Sequence, residues 1–190
     1  VTCNMTNCIG VDGTKAEDLT KAELTCRSQV QPIIRFLREY VPGYEECFLI
    51  GVATLMGVRE TRHFHGVQTI DEQDIRTAKQ FPDWVVRDAY FNFDVHNLTG
   101  ASLDKTGEQK QFTQKHGYTI PYGCLIPKTV DGLLLSGRNI SGTHMAHSNF
   151  RAMPICFGIG AAGGVAAALA AKTNRLPRDL NAAEIQKLIK

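Results

Sequence analysis

Between Met153 and Ala171 the chain passes 19 residues without a charged side chain, and four of them, Gly158, Gly160, Gly163 and Gly164, are glycine. Pro154 suits the first turn of a helix, where a missing N–H costs nothing, so the pattern predicts a helix from about Pro154 to Thr173. Glycine inside a helix costs about 1 kcal/mol relative to alanine. Four so close together predict that another element approaches this helix tightly. Cys156, Gly160, Gly163, Gly164, Ala167 and Ala171 fall on one face at the 3.6-residue period, and that face carries only small side chains. The length and the GxxxG-like spacing also suit a membrane span. Against it, the glycines and alanines leave few strongly apolar side chains and the flanks lack aromatic belts, so no membrane is expected.

Upstream, Leu133, Leu134 and Leu135 lie between Gly132 and Gly137 and read as a short strand buried on both faces. The 16 residues from Gly137 to Ala152 are small or polar and include Arg138, His144, His147 and Arg151. A strand, a polar loop and a helix in that order is how α/β folds hold ligands at the carboxyl ends of their strands. The N–H groups and positive dipole end of the helix favour an anionic or electron-rich group there.

The run GRNISGTHMAHSNFRAMPICFGIGAAGG resembles the C-terminal cofactor segment of FAD-dependent oxidoreductases of the glutathione-reductase-type superfamily. It is most similar to a branch of large bacterial flavoproteins, some of them labelled xanthan lyase. DGTKAEDLTKAEL, GVRETRHFHGVQTIDEQDI, FDVHN and YTIPYGCLIPK extend the resemblance over nearly the whole chain from Asp12. The resemblance implies FAD as cofactor. It places Gly137, Arg138, Asn139 and Ile140 on the ribityl and pyrophosphate side, and Ala146, Arg151, Met153, Pro154, Ile155 and Gly158 near the isoalloxazine. No metal is implied. Many flavoproteins carry an acidic residue after the last strand's glycine; Arg138 stands there instead and cannot accept hydrogen bonds, so phosphate, carboxylate or carbonyl is its expected partner.

Such flavoproteins open on a strand, a GxGxxG turn and a helix, and the nearest candidate here, GIGAAGG at 158–164, falls within the predicted helix. The chain is therefore expected to be the C-terminal portion of a longer protein. Its partner is then the N-terminal dinucleotide-binding half, its ligand a small-molecule substrate, and self-association is expected if the glycine helix is left bare. The expected class is α/β, or α+β in isolation: the last strand, loop and helix of a Rossmann-like FAD domain at 128–175, part of a mixed substrate or cap domain at 1–127, and a helical tail at 176–190. A net charge of +2 gives no reason to expect nucleic acid. No leader pattern is legible, and a cytoplasmic location is the working expectation.

Cys3, Cys8, Cys26, Cys47, Cys124 and Cys156 show no CxxC pair, which predicts reduced and mostly buried thiols rather than a zinc site or redox centre. Thr20 and Glu23 form a capping-box pair, with Leu19 and Leu24 as a hydrophobic staple. They open a predicted helix to Tyr40 that buries Leu24, Cys26, Val30, Ile33, Ile34, Leu37 and Val41 and is bent at Pro32. Strands are expected at 47–54, 58–65, 90–95 and, on an edge, 118–127. Helical segments are expected at Thr69–Gln80, from Asp83 to Ala89, and in AAEIQKLIK after Asn181. Trp84 reads as core, and Leu98–Gly117 as a surface loop.

On the 58–65 strand, Arg59 and Arg62 are candidates to hold a carboxylate or stabilise reduced flavin. His147 and His144 are candidate acids or bases, His147 first because of its place in the recurring Ala-His pair. The plainer reading is that each histidine is bonded into loop backbone. Two other classes were weighed: an interaction domain packing through its small-residue helix, and a metal-assisted hydrolase using His63, His65, Asp94 and His96.

Overall fold

The computed structural model describes residues 1–95, 113–114 and 116–189. The chain is of mixed α and β type and divides into two compact units, one built on residues 1–62 and the other on 63–95 with 116–189.

The first unit is organised by one long helix, α1 (Ala16–Tyr40). It begins four residues before the predicted cap: Thr20 lies inside it, its hydroxyl donating to Ala16 O at 2.9 Å. Glu17 and Asp18 sit at the positive end of the helix and Arg38 at the negative end, as the macrodipole favours. Pro32 is carried within the helix. Only Ala22 is buried; Leu24 is exposed, and the rest of the predicted core face is partly covered.

The predicted strands at 47–54 and 58–65 do not form. A strand needs a neighbour to take its N–H and C=O groups, and around 47–56 side chains of α1 take some of them instead. Arg38 Nε donates to Cys47 O at 2.8 Å, Arg27 Nη2 to Thr54 O at 3.1 Å, and Met56 N donates to Glu23 Oε2 at 2.8 Å. Phe48, Ile50 and Leu55 of this stretch are exposed.

The second unit is built around a two-stranded antiparallel sheet, β1 (Trp84–Ala89) and β2 (Tyr118–Pro121), with Trp84 opposite Pro121, Val86 opposite Ile120 and Ala89 opposite Tyr118. The segment read as a helical turn after Asp83 is thus β1, and the strand expected at 90–95 is irregular. Val85 and Val86 are β-branched, and β2 supplies the partner that a turn reading ignores. The register slips twice, with Asp88 in the left-handed region at φ 52°. Gly117 fits there because a Cβ would lie 2.3 Å from Asp88 Cα.

Before the sheet, α2 (Glu72–Arg76) is capped by Asp71 and Asp74, not by the expected Thr69–Glu72 pair. It stops well short of Gln80, at Ala78 with φ 50°. After β2, Tyr122–Leu125 forms a 3-10 turn where an extended edge was expected. Leu133–Leu135 forms no strand: Leu133 is exposed, and Leu135 N makes a single bond to Leu125 O at 2.8 Å. Most of the expected loop at 98–117 lies outside the described residues.

Two helices follow, α3 (His144–Phe150) inside the stretch expected to be loop, and α4 (Met153–Thr173), the predicted glycine helix, ended by Asn174 in the left-handed region. α4 is long and apolar enough to cross a membrane by length and composition. It buries Ile155, Ile159, Ala162, Gly163, Ala166 and Ala170 in the core with Phe93, Tyr118, Ile120 and Phe150. Close approach holds for two of its glycines. A Cβ on Gly158 would come 3.3 Å from Val86 and one on Gly163 3.3 Å from Ser136 Oγ, whereas Gly164 has nothing within 4 Å.

The tail helix α5 (Ala182–Gln186) has the capping box Asn181–Glu184, and buries Ile185 while leaving Leu188 exposed. Gln186 Nε2 reaches the carbonyls of Pro82 and Trp84, each at 2.9 Å. Trp84 itself is half-buried beneath the Arg87 guanidinium.

Burial in this unit has a measurable consequence at high pH. It pushes both the Tyr122 phenol, ordinarily 10.0, and the Cys124 thiol, ordinarily 9.0, up to about 12. Their neutral forms stabilise the fold fully below the unfolded values. The unfolded chain loses these protons first, so stability falls as pH rises from 9 towards 12, each group adding a slope of about 1.4 kcal/mol per pH unit. Urea midpoints at pH 9, 10 and 11 should decline accordingly, and Tyr122→Phe should flatten the decline above pH 10. An equal slope in that variant would remove Tyr122 from the account.

Candidate functional site

The loop from Gly137 to Thr143 is anchored by hydrogen bonds from several directions. Gly137 adopts φ 66° at the start of a 3-10 turn, Gly137–Asn139. Beyond it, Ser141 N donates to Cys124 O at 2.9 Å, Thr143 N donates to Ile70 O at 3.0 Å, and the Thr69 and Ser141 hydroxyls meet at 2.8 Å. Gly142 can lie this close to α3 only without a side chain, since a Cβ would sit 2.4 Å from Phe150 Cε1.

Thr143 caps α3, its hydroxyl accepting from Ala146 N at 3.3 Å. The cap fixes the rotation of the helix: His147 turns inward, 4% exposed, while His144 points to solvent. The His147 ring stands edge-on to Phe150 with centroids 5.4 Å apart, and 5.2 Å from the ring of His63. His63 Nδ1 lies 3.0 Å from Gly142 O. A carbonyl only accepts, so Nδ1 carries the proton of this bond.

Helix α4 begins at Met153 with no side chain capping it and with Pro154 in its first turn. Arg151, just before it, donates to Asp94 Oδ2 at 2.7 Å and to Asp94 O at 2.9 Å. This pair is largely shielded from solvent, so Arg151 is committed to holding the 94 segment and its charge is offset. Cys156 senses two cations: burial raises its thiol, while the positive charges of Arg138 and Arg151 pull the other way. Arg138 lies in the 3-10 turn Gly137–Asn139 and Arg151 immediately before α4, whose uncapped N-terminal end favours negative charge.

Of the residues singled out from sequence, Gly137, Arg138, Asn139, Ile140, Ala146, His147, Arg151, Met153, Pro154, Ile155 and Gly158 fall on this loop, on α3 or on the first turns of α4. Ile140, Ala146 and Ile155 are buried and support the backbone; Asn139, Met153 and Pro154 are exposed. Arg59 and Arg62, both exposed, belong to the first unit. Among the four residues weighed for metal, Asp94 is held by Arg151, His63 bonds Gly142, His65 O accepts from Lys128 N at 2.9 Å, and His96 lies outside the described residues.

Asn149 and Tyr118 lie in stretches that carry the resemblance, but nothing in the sequence marks their role. Fully buried Asn149 accepts from the Tyr118 hydroxyl at 2.7 Å and donates to Phe91 O, tying α3 to β2 and to the 91 segment. Their separations of 31 and 58 residues leave no local pattern to read.

A family model described as FAD dependent oxidoreductase matches residues 1–189. No curated protein and no solved structure matches the chain.

Proposed function

The chain belongs to the FAD-dependent oxidoreductase family, and we propose that it contributes the isoalloxazine and ribityl side of the flavin site in a longer enzyme. The family's cofactor is FAD, which when bound supplies the hydride chemistry. The observation that carries the reading is the uncapped start of α4, preceded by Arg151 and by the turn that carries Arg138, a donor set suited to an electron-rich ring and a phosphate chain.

In this reading, backbone N–H groups at Met153 and Ile155 and the dipole of α4 favour negative charge on the ring. Arg138 faces phosphate or a carbonyl. Arg151 keeps its place through Asp94 and orients the loop that precedes α4. His147 holds or releases a proton beside the ring, with His63 next to it. His144, on the solvent side of α3, is the second candidate for exchange with a small-molecule substrate. The resemblance to the glutathione-reductase-type superfamily, and to its branch labelled xanthan lyase, supports this assignment of roles.

The partner in this proposal is the dinucleotide-binding half of the same protein. The only GxGxxG-like run of this chain, GIGAAGG, lies inside α4, and α4 presents Met153, Phe157, Gly160 and Gly164 to solvent. The test is the visible spectrum of the longer protein beside that of the 190-residue chain. Flavin bands are expected in the longer protein alone. Gly164→Leu should leave the short chain as stable or gain up to about 1 kcal/mol from helix propensity, yet lower flavin content severalfold in the longer protein. Full flavin content in that variant would remove the covered face from the proposal. A folded longer protein with no flavin would favour the interaction-domain reading of α4.

A further inference from the structure

Five of the six cysteines retain some exposure, and only Cys124 is buried, so the expectation of mostly buried thiols does not hold. Two of the five are Cys8, in the segment before α1, and Cys26, on α1 itself. The segment before the helix is clamped to it at two points: Asn7 N donates to Gln29 Oε1 at 2.9 Å, and Gln29 Nε2 donates to Asn7 O at 2.8 Å. Gln29 and Cys26 are three residues apart on α1 and therefore share a face. Cys8 adjoins Asn7, so this clamp brings it beside the face of α1 that carries Cys26. Burial raises the Cys26 thiol, and a charge on Cys8 would add to that effect.

We propose that Cys8 and Cys26 form a reversible dithiol–disulfide pair that staples the leading segment to α1, with small-molecule disulfides of the glutathione type as exchange partner. Cys8 attacks one sulfur of the small disulfide, forming a mixed disulfide and expelling one small thiolate. The Cys26 thiolate then attacks the Cys8 sulfur, forms the Cys8–Cys26 bond and expels the second. Two protein thiols give up two protons, and the small disulfide takes the two electrons. Cys26 is the resolving thiol because burial disfavours its thiolate. The Asn7–Gln29 clamp supplies the proximity that makes the second step intramolecular.

The test is differential alkylation of this chain, equilibrated across ratios of reduced to oxidised glutathione, followed by tryptic mapping. Cys8 and Cys26 should lose reactivity in parallel, with the peptide Val1–Lys15 linked to Ala22–Arg27, and the link should persist in Cys3→Ser. The midpoint should not change over a roughly hundredfold range of protein concentration, as an intramolecular closure requires. In Cys8→Ser, Cys26 should remain fully alkylated, and in Gln29→Ala the midpoint should move toward more oxidising ratios. Glutathione retained on Cys8 with Cys26 free, or a link found only between chains, overturns the proposal.

Discussion

Gly142→Ala is expected to destabilise the second unit by about 3 kcal/mol, the upper end of what forced overpacking costs. A methyl group there would overlap Phe150 Cε1 at 2.4 Å and Cζ at 2.8 Å, with Ile70 Cγ2 at 3.3 Å behind. Phe150 and Ile70 are both fully buried, so the ring has nowhere to turn and the backbone must move. Gly142 O is also the acceptor for His63, so the variant should disturb the His63–His147 pair as well. With a urea m-value of about 2 kcal/mol per M, the midpoint should fall by about 1.5 M. Phe150→Leu removes the clashing ring atoms at the cost of a cavity. If the overlap is the cause, the double variant should be more stable than the sum of the single effects by at least about 1 kcal/mol. Simple additivity would rule the overlap out.

Asn149→Leu should cost roughly as much, by a different route. It strips the buried Tyr118 hydroxyl of its acceptor and leaves Phe91 O without its amide donor. A buried group left unsatisfied costs about 1–3 kcal/mol; the Tyr118 hydroxyl is fully buried, whereas Phe91 is partly exposed, so water offsets part of the second loss and the variant should cost about 2–4 kcal/mol. Tyr118→Phe removes one of the two orphaned groups in advance, so Asn149→Leu made in that background should cost about 1–2 kcal/mol less than in the parent sequence. Equal costs in both backgrounds would mean that the Tyr118 bond contributes nothing. Asn149→Asp tests the other half. The carboxylate can still accept from Tyr118, but when ionised it has no N–H for Phe91 O and buries a charge, so its penalty should shrink on acidification, read as urea midpoints at pH 7 and pH 4.

The two substitutions sit on opposite sides of what sequence can show. Gly142 lies within a run whose resemblance to flavoprotein cofactor segments is legible, although the ring it must avoid is not. His147 and Arg151 stand out in the same run. Their partners do not: the contacts of Asp94 and His63 with Arg151 and Gly142 join residues 57 and 79 positions apart.

Helices α1 and α4 were recognisable because an α-helix closes its hydrogen bonds within four residues, so composition, period and caps over a short window suffice. Even there only the local part was determined. Thr20 and Glu23 looked like a cap, but the helix began at Ala16, and the small-residue face of α4 turned Gly164 to solvent while burying Ile155 and Ile159.

Strands were decided elsewhere in the chain. Residues 47–54 and 133–135 have the apolar, β-prone character of strands but form none, since side chains or a single backbone bond take up some of their polar groups, and 58–65 forms none either. Val85 and Val86 became a strand because Tyr118–Pro121 was folded back beside them. What the sequence alone determined is the long helices and the family. Which extended segments pair, which histidine turns inward and which arginine is already engaged were settled only by the tertiary structure, because the groups that satisfy them come from distant parts of the chain.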